Sequence, residues 1–466
     1  MPMAGWNTNI RERWEGPGGW KEFLAVSFPL ILSASSASLQ HFIDRLLLSW
    51  YAPEAIAAAM AAGVLQIALM SFFVGTASYT STFVAQYYGA KRSGSIGPAT
   101  WQGLYISLAG GLLILATAPF AKGFFGWIGH PEVVCGYETA YYSTLCWGAF
   151  PAIAGAALAG YFSGQGRTWP VLVSNILATA VHIGLDYALI FGKMGMPRWG
   201  VRGAAVATNL SLAASCLFYL WLMTKKEYRS RAPFFGKGRP DPELLKRFLR
   251  FGFPAGAQVF VEIAGYSIFL LLVGRLGTEE LTATTIAFNI NNLAFMPMLG
   301  FGLGVSVLVG QAQGEKKHGR AERATWSGLH FTMAYAAFFV LLYVLAPDLF
   351  IMPFTIGRPE GFVEIRRYAI VLLRFIAAYT IFDTMNIVFS GALKGAGDTR
   401  FIMKMMLAMT VFILAIPTAV AISFLGWGLY GVWTIITVEA CLLGIVFLVR
   451  FLGGRWKGMR VIEETI

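Results

Sequence analysis

Runs of about twenty predominantly apolar residues recur along the whole chain, separated by short polar turns. Each run has the length at which an α-helix crosses a bilayer. The pattern predicts twelve spans, near residues 22–50, 55–86, 98–120, 137–162, 169–192, 202–224, 247–273, 283–312, 324–346, 366–392, 401–423 and 429–449. The first twenty residues are polar and carry Trp6, Arg11, Arg13 and Trp14, unlike a cleavable signal peptide. The expectation is an all-α, multi-pass membrane protein.

The pattern also repeats. At an offset of 225 residues, Phe28-Pro29 falls on Phe253-Pro254, Gly75 on Gly300, Gln86 on Gln311, Gly89 on Gly314 and Lys91 on Lys316. Each half is too long for a solenoid repeat of ~20–50 residues. Six spans per half is an even number, so both halves enter the membrane in the same direction, as a parallel repeat. The longest polar stretch, Thr224 through Pro242, is basic and central, and marks the boundary. The expected organisation is a segment 1–21, a six-helix lobe 22–224, a basic linker 225–246, a second six-helix lobe 247–452 and a tail 453–466. The architecture is then two pseudo-symmetric six-helix bundles. Prolines fall inside spans at Pro29, Pro151, Pro254, Pro297 and Pro417. Pro29 and Pro254 are equivalent in the two halves, which marks them as gating kinks.

Composition agrees: 57% of residues are apolar and 13% charged, against roughly 25% charged in a soluble domain. The net charge of +12 would suit nucleic acid. Its distribution gives another reading. With the amino terminus inside, most of the 36 Lys and Arg residues border the inner face, while Arg45 and Arg374 lie within spans. That asymmetry is the positive-inside rule, and it places both termini in the cytoplasm of a cell (plasma or inner) membrane. The four cysteines have no metal-type spacing and read as packing residues. No phosphate-binding GxxxxGK[ST] loop is present, so an ion gradient is the expected energy source.

Five acids sit at membrane depth: Asp44, Asp186, Glu262, Asp383 and Glu439. Each costs ~2.5–3.5 kcal/mol on insertion scales, which points to function, although interhelical bonding is the alternative for any single one. His182 and Asp186 are four apart and share a helix face, so they can bracket one ion or proton. Tyr379 and Asp383 have the same spacing. The repeat breaks at these positions: Asp44 aligns with Phe269, and Glu262 with Ala37. The scaffold is duplicated and the acids are not. Asn289, Asn291 and Asn292 could line a path or bond neighbouring helices. His330, alone on an apolar span, reads as a core histidine. Lys394-Gly-Ala-Gly-Asp398 contains the GxGD of some intramembrane proteases, but its repeat partner is Gly-Gln-Gly-Arg in a loop.

Over its whole length the chain resembles the multidrug and toxic compound extrusion (MATE) transporters. The resemblance rests on Val84-Ala-Gln-Tyr-Tyr-Gly-Ala-Lys and its twin Val309-Gly-Gln-Ala-Gln-Gly-Glu-Lys. It also rests on Phe253-Pro-Ala-Gly with Glu262 downstream, and on Ser390-Gly-Ala-Leu-Lys-Gly-Ala-Gly-Asp-Thr399. It implies twelve helices in a V-shaped molecule and export of organic cations in exchange for Na⁺ or protons, with no cofactor. Carried over by position, Asp44, Asp186 and Thr208 look like one branch's amino-terminal cation site, and Glu262, Tyr379 and Asp383 like another branch's site, open to Na⁺ at Glu262 and Asp383. Where that first site expects an amide, this chain has His182. Imidazole handles protons well and Na⁺ poorly, so protons are the expected ion of the amino-terminal lobe. The expected protein is a monomeric antiporter, not an enzyme, that moves small organic cations such as drugs and dyes through the lipid bilayer. A lipid-linked sugar or phospholipid flippase is the alternative. A flippase needs a cationic cavity, and here in-span acids outnumber in-span arginines.

Overall fold

In lipid no water is available to backbone amides, so every N–H and C=O must bond within its own segment, and apolar runs of this length become helices. The computed structural model describes residues 10–236, 238–355 and 362–463. Residues 1–9 with Trp6, Lys237 of the expected linker and residues 464–466 of the expected tail lie outside the described residues. The described chain is all helix and turn, with no strand. Ten helical runs in it are long and apolar enough to cross a membrane. An eleventh is a pair, Glu132–Trp147 and Ala149–Gly164, bent by 45°. The 32-residue helix Trp20–Tyr51 covers the first of the twelve expected spans.

The prolines act unequally. The span expected to kink at Pro151 breaks at Gly148, three residues earlier. Pro151 offers no N–H to the carbonyl of Trp147, so the helix parts one turn before the ring. Pro417 is preceded by a π-helical run, Met409–Ala415, which absorbs the same misfit. Pro29, Pro254 and Pro297 lie inside continuous helices.

Contacts divide the chain into two compact units. Among the described residues, one unit takes those up to Ile31 and from Val261 to Arg460, and the other those from Leu32 to Phe260 and from Val461 onward. Helices Trp20–Tyr51 and Pro242–Val273 therefore each begin in one unit and end in the other. The crossing points follow Pro29 and Pro254 closely. Each unit is closed by the same helix crossing. In the first, a β-carbon on Gly300 would sit 2.5 Å from Ile31 Cα; in the second, one on Gly75 would sit 2.9 Å from Gly256 Cα. The two contacts are related by the 225-residue offset, as are Lys91 and Lys316, the repeat-equivalent lysines with a left-handed φ of 58°.

The linker is held by the second unit. Phe234 stacks on Trp101 with ring centroids 5.0 Å apart, and the Tyr161 hydroxyl donates to the Ala232 carbonyl at 2.7 Å. Val461 and Glu463 dock there too. Val461 N–H donates to Gln86 Oε1 at 2.9 Å, and Glu463 accepts hydrogen bonds from the Tyr87 hydroxyl, Arg92 and Arg247. Burial alone would push the Glu463 carboxyl up. A backbone hydrogen bond, the Tyr87 hydroxyl and the two guanidinium groups outweigh it and hold the group below its ordinary value. A depressed carboxyl stabilises the docked tail fully above its free pKa of about 4.3, and that stabilisation is lost as pH falls through the lowered value. Proteolysis of the tail should therefore accelerate below about pH 4 in the wild type. Glu463→Gln should show the faster cleavage already at neutral pH; equal rates there would mean the clamp does not hold the tail.

Candidate functional site

In the second unit three helices bring their polar groups into an apolar interior. Helix Trp20–Tyr51 contributes Asp44, Trp169–Phe191 contributes His182 and Asp186, and Glu132–Trp147 contributes Tyr141. The i, i+4 spacing does what the sequence predicts: His182 Nε2 lies 3.0 Å from Asp186 Oδ2. One donor atom from each of Asp44, His182 and Asp186 falls within 4.8 Å of the others. Tyr141 donates to Asp44 Oδ2 at 3.3 Å. Asp186 is fully buried, and Asp44 and His182 are 8% and 4% exposed. Leu47, Leu48, Cys146 and Ile190 belong to the core around them.

Among the described residues Asp44 Oδ1 and Asp186 Oδ1 are buried and accept no hydrogen bond. A bare carboxylate oxygen in such surroundings is expensive. Even with a protonated imidazole the cluster keeps one net negative charge, so it is balanced only when it takes up a proton or another cation. Thr208 does not join in this way, since its hydroxyl donates to Ala204 of its own helix at 3.1 Å. Sequence reasoning missed Tyr141, because a tyrosine at the end of an apolar run carries no signal until a distant helix sets a carboxylate beside it. It also missed Glu138, fully buried and 2.7 Å from His130.

The first unit holds the other acids. Glu262, Asp383 and Glu439 lie within reach of one another's charge, and Tyr379 is buried within reach of Asp383 and Glu439. Asn386 donates to Asp383 at 3.4 Å. Half-buried Lys394 adds a cation within reach of Glu262, which the sequence did not suggest. Next to Tyr379 in the core, Phe288 stacks on Trp433 at 5.0 Å. Asn289 and Asn292 are exposed and Asn291 half-buried, and the Asn289 amide donates to Thr285 of its own helix. Pro29 and Pro254 are buried. His330 departs from expectation: it is exposed, with its ring edge-on to Trp20 of the same unit at 6.1 Å. Asp398 of the GxGD motif is ion-paired to Arg450 at 2.7 Å, a structural role in a loop.

The family model MatE matches the chain twice, over residues 29–188 and 254–421. The chain belongs to the MatE family. The two matches begin 225 residues apart, at the two equivalent prolines, so the family's own unit is the repeat read from the sequence. As a member of this transporter family the chain is read as a carrier, not an enzyme. Among curated relatives, a probable multidrug resistance protein NorM of Agrobacterium fabrum is 26% identical over 442 residues, covering 94% of this chain and 95% of that one. Another of the same name from Xanthomonas campestris pv. campestris is 29% identical over 438 residues, covering 91% and 92%. A solved structure of a multidrug resistance MATE family transporter of the MOP superfamily, in its outward-facing conformation, has a TM-score of 0.86 at 21% identity. The match covers 98% of this chain and 100% of that one. A MOP superfamily transporter from Pyrococcus furiosus gives the same TM-score and identity, covering 97% and 100%. At that identity the structures establish the shared two-lobed helical fold.

Proposed function

We propose that this protein is an antiporter of the cell membrane, with both termini cytoplasmic, that exports amphipathic organic cations in exchange for protons or Na⁺. The observation that carries the reading is the buried cluster of Asp44, His182 and Asp186, whose unbonded carboxylate oxygens need a cation. The relatives' name as multidrug resistance proteins supports drugs and dyes as cargo. Burial disfavours a bare carboxylate, so binding and release of a proton there is coupled to any change in the cluster's access to water. The imidazole favours protons over Na⁺, a hard cation that prefers oxygen.

In the other lobe Glu262, Tyr379 and Asp383, with Glu439, attract the organic cation or a Na⁺ ion, and the amides Asn289, Asn291 and Asn292 line its path. Access alternates as the lobes, 22–224 and 247–452, rock, with the helices bending at Pro29 and Pro254. Efflux of a cationic dye from loaded vesicles, with pH and Na⁺ gradients imposed separately, tests the scheme. The expected result is transport driven by the pH gradient. Efflux indifferent to both gradients would falsify antiport.

A further inference from the structure

The donor set of the buried cluster suits a second kind of ion. We infer that Asp44, His182 and Asp186 form a binding site for a divalent transition-metal ion of the Zn²⁺ class. Four observations carry this. One nitrogen and two carboxylate donors converge within 4.8 Å, each from a buried side chain. His182 Nε2 and Asp186 Oδ2, 3.0 Å apart, are close enough for both to reach one metal ion at ~2.0–2.1 Å. The i, i+4 pair on one helix face is the spacing that zinc-binding helices use. Asp44 Oδ1 and Asp186 Oδ1 accept no hydrogen bond among the described residues, so lone pairs remain for a metal.

Charge and donor chemistry agree. With the imidazole neutral, as a ligand must be, two carboxylates carry two negative charges, which a dication balances and Na⁺ does not. Imidazole nitrogen suits zinc, copper, iron or nickel and adds little for an alkali ion. Three protein ligands leave a further position for water, and Tyr141, bonded to Asp44 Oδ2 at 3.3 Å, orients one carboxylate from outside the ligand shell. His182, placed where an oxygen donor would serve Na⁺, thus shifts the site's selectivity. The consequence for transport, which rests on the antiport reading, is that such an ion competes with the coupling cation for the same two carboxylates and blocks exchange.

Binding itself is measured without transport. Co²⁺ is titrated into the full-length, detergent-purified protein after treatment with a chelator, and its visible absorption is followed. The expected result is one equivalent of Co²⁺ with a band far stronger than that of the aqueous ion, displaced one for one by Zn²⁺. His182→Asn should weaken Co²⁺ binding at least ~10-fold, and Tyr141→Phe by ~10-fold, as outer-shell losses do. Two results overturn the inference: a wild-type spectrum identical to aqueous Co²⁺, or a His182→Asn titration that superimposes on the wild type. If the His182→Asn protein does not fold, the wild-type titration with Zn²⁺ displacement still decides. Intact gradient-driven efflux without a Co²⁺ band removes the metal site and keeps antiport; a Co²⁺ band with gradient-indifferent efflux does the reverse.

Discussion

Asp44→Asn is expected to reduce gradient-driven efflux on the order of 10–100-fold, the span of ordinary coupling free energies between two sites. The amide is nearly isosteric, and the Tyr141 hydroxyl can still donate to its oxygen, so the interior stays packed. What changes is charge. On the antiport reading, the wild-type cluster of two carboxylates and an imidazolium is one positive charge short of neutral, and the coupling cation would supply it. In the variant the His182–Asp186 pair, 3.0 Å apart, is already balanced, and no cation is required. An ion with no differential affinity between two states shifts neither, however steep its gradient. Dye efflux from vesicles under an imposed pH gradient reads the loss, with quantity and insertion of the variant checked beside the wild type. Full activity in Asp44→Asn would remove this carboxylate from coupling.

Gly300→Leu should prevent accumulation of folded protein. A β-carbon there would lie 2.5 Å from Ile31 Cα and 2.6 Å from Ile31 N, and neither atom can swing aside because both are backbone. Overpacking a well-packed core costs ~1–3 kcal/mol when side chains can yield, and a backbone collision exceeds that range. The helices would have to separate along their whole crossing, whose neighbouring contact sets Gly304 against Ser27. Gly256→Leu should behave alike, since a β-carbon there falls 2.2 Å from the Phe72 carbonyl oxygen. Gly63→Leu is the control, as nothing lies within 4 Å of its β-carbon position. Size-exclusion profiles of fluorescent fusions would register the difference, and a monodisperse Gly300→Leu peak at wild-type height would contradict the crossing.

These two results separate what sequence could reveal from what it could not. Hydropathy alone gives the spans, because the bilayer imposes one length on every helix. The duplication is equally plain in Gly75 and Gly300 or Lys91 and Lys316. Their reasons were not: that both glycines make room for a partner backbone, and both lysines hold a left-handed turn, are properties of backbone geometry. His182 and Asp186 were legible as a pair since four residues make one helical turn. Joining them to Asp44 took more than spacing, because over a hundred residues lie between. Tyr141 was silent for the same reason, and Lys394 read as part of a loop motif rather than a neighbour of Glu262.

The two shared helices also constrain the order in which the protein can be made. Unit 32–260 has nearly all its chain once helix Pro242–Val273 leaves the ribosome. Residues 10–31 emerge first, yet their partners lie beyond residue 260, with Gly300 and Gly304 near the middle of the following helix. The amino-terminal half-helix therefore waits in the bilayer, with Ser27 and Ile31 lacking their glycine partners, until more than half of the protein has been synthesised. That interval, not the finished molecule, is when chaperones and the insertion machinery have most to protect.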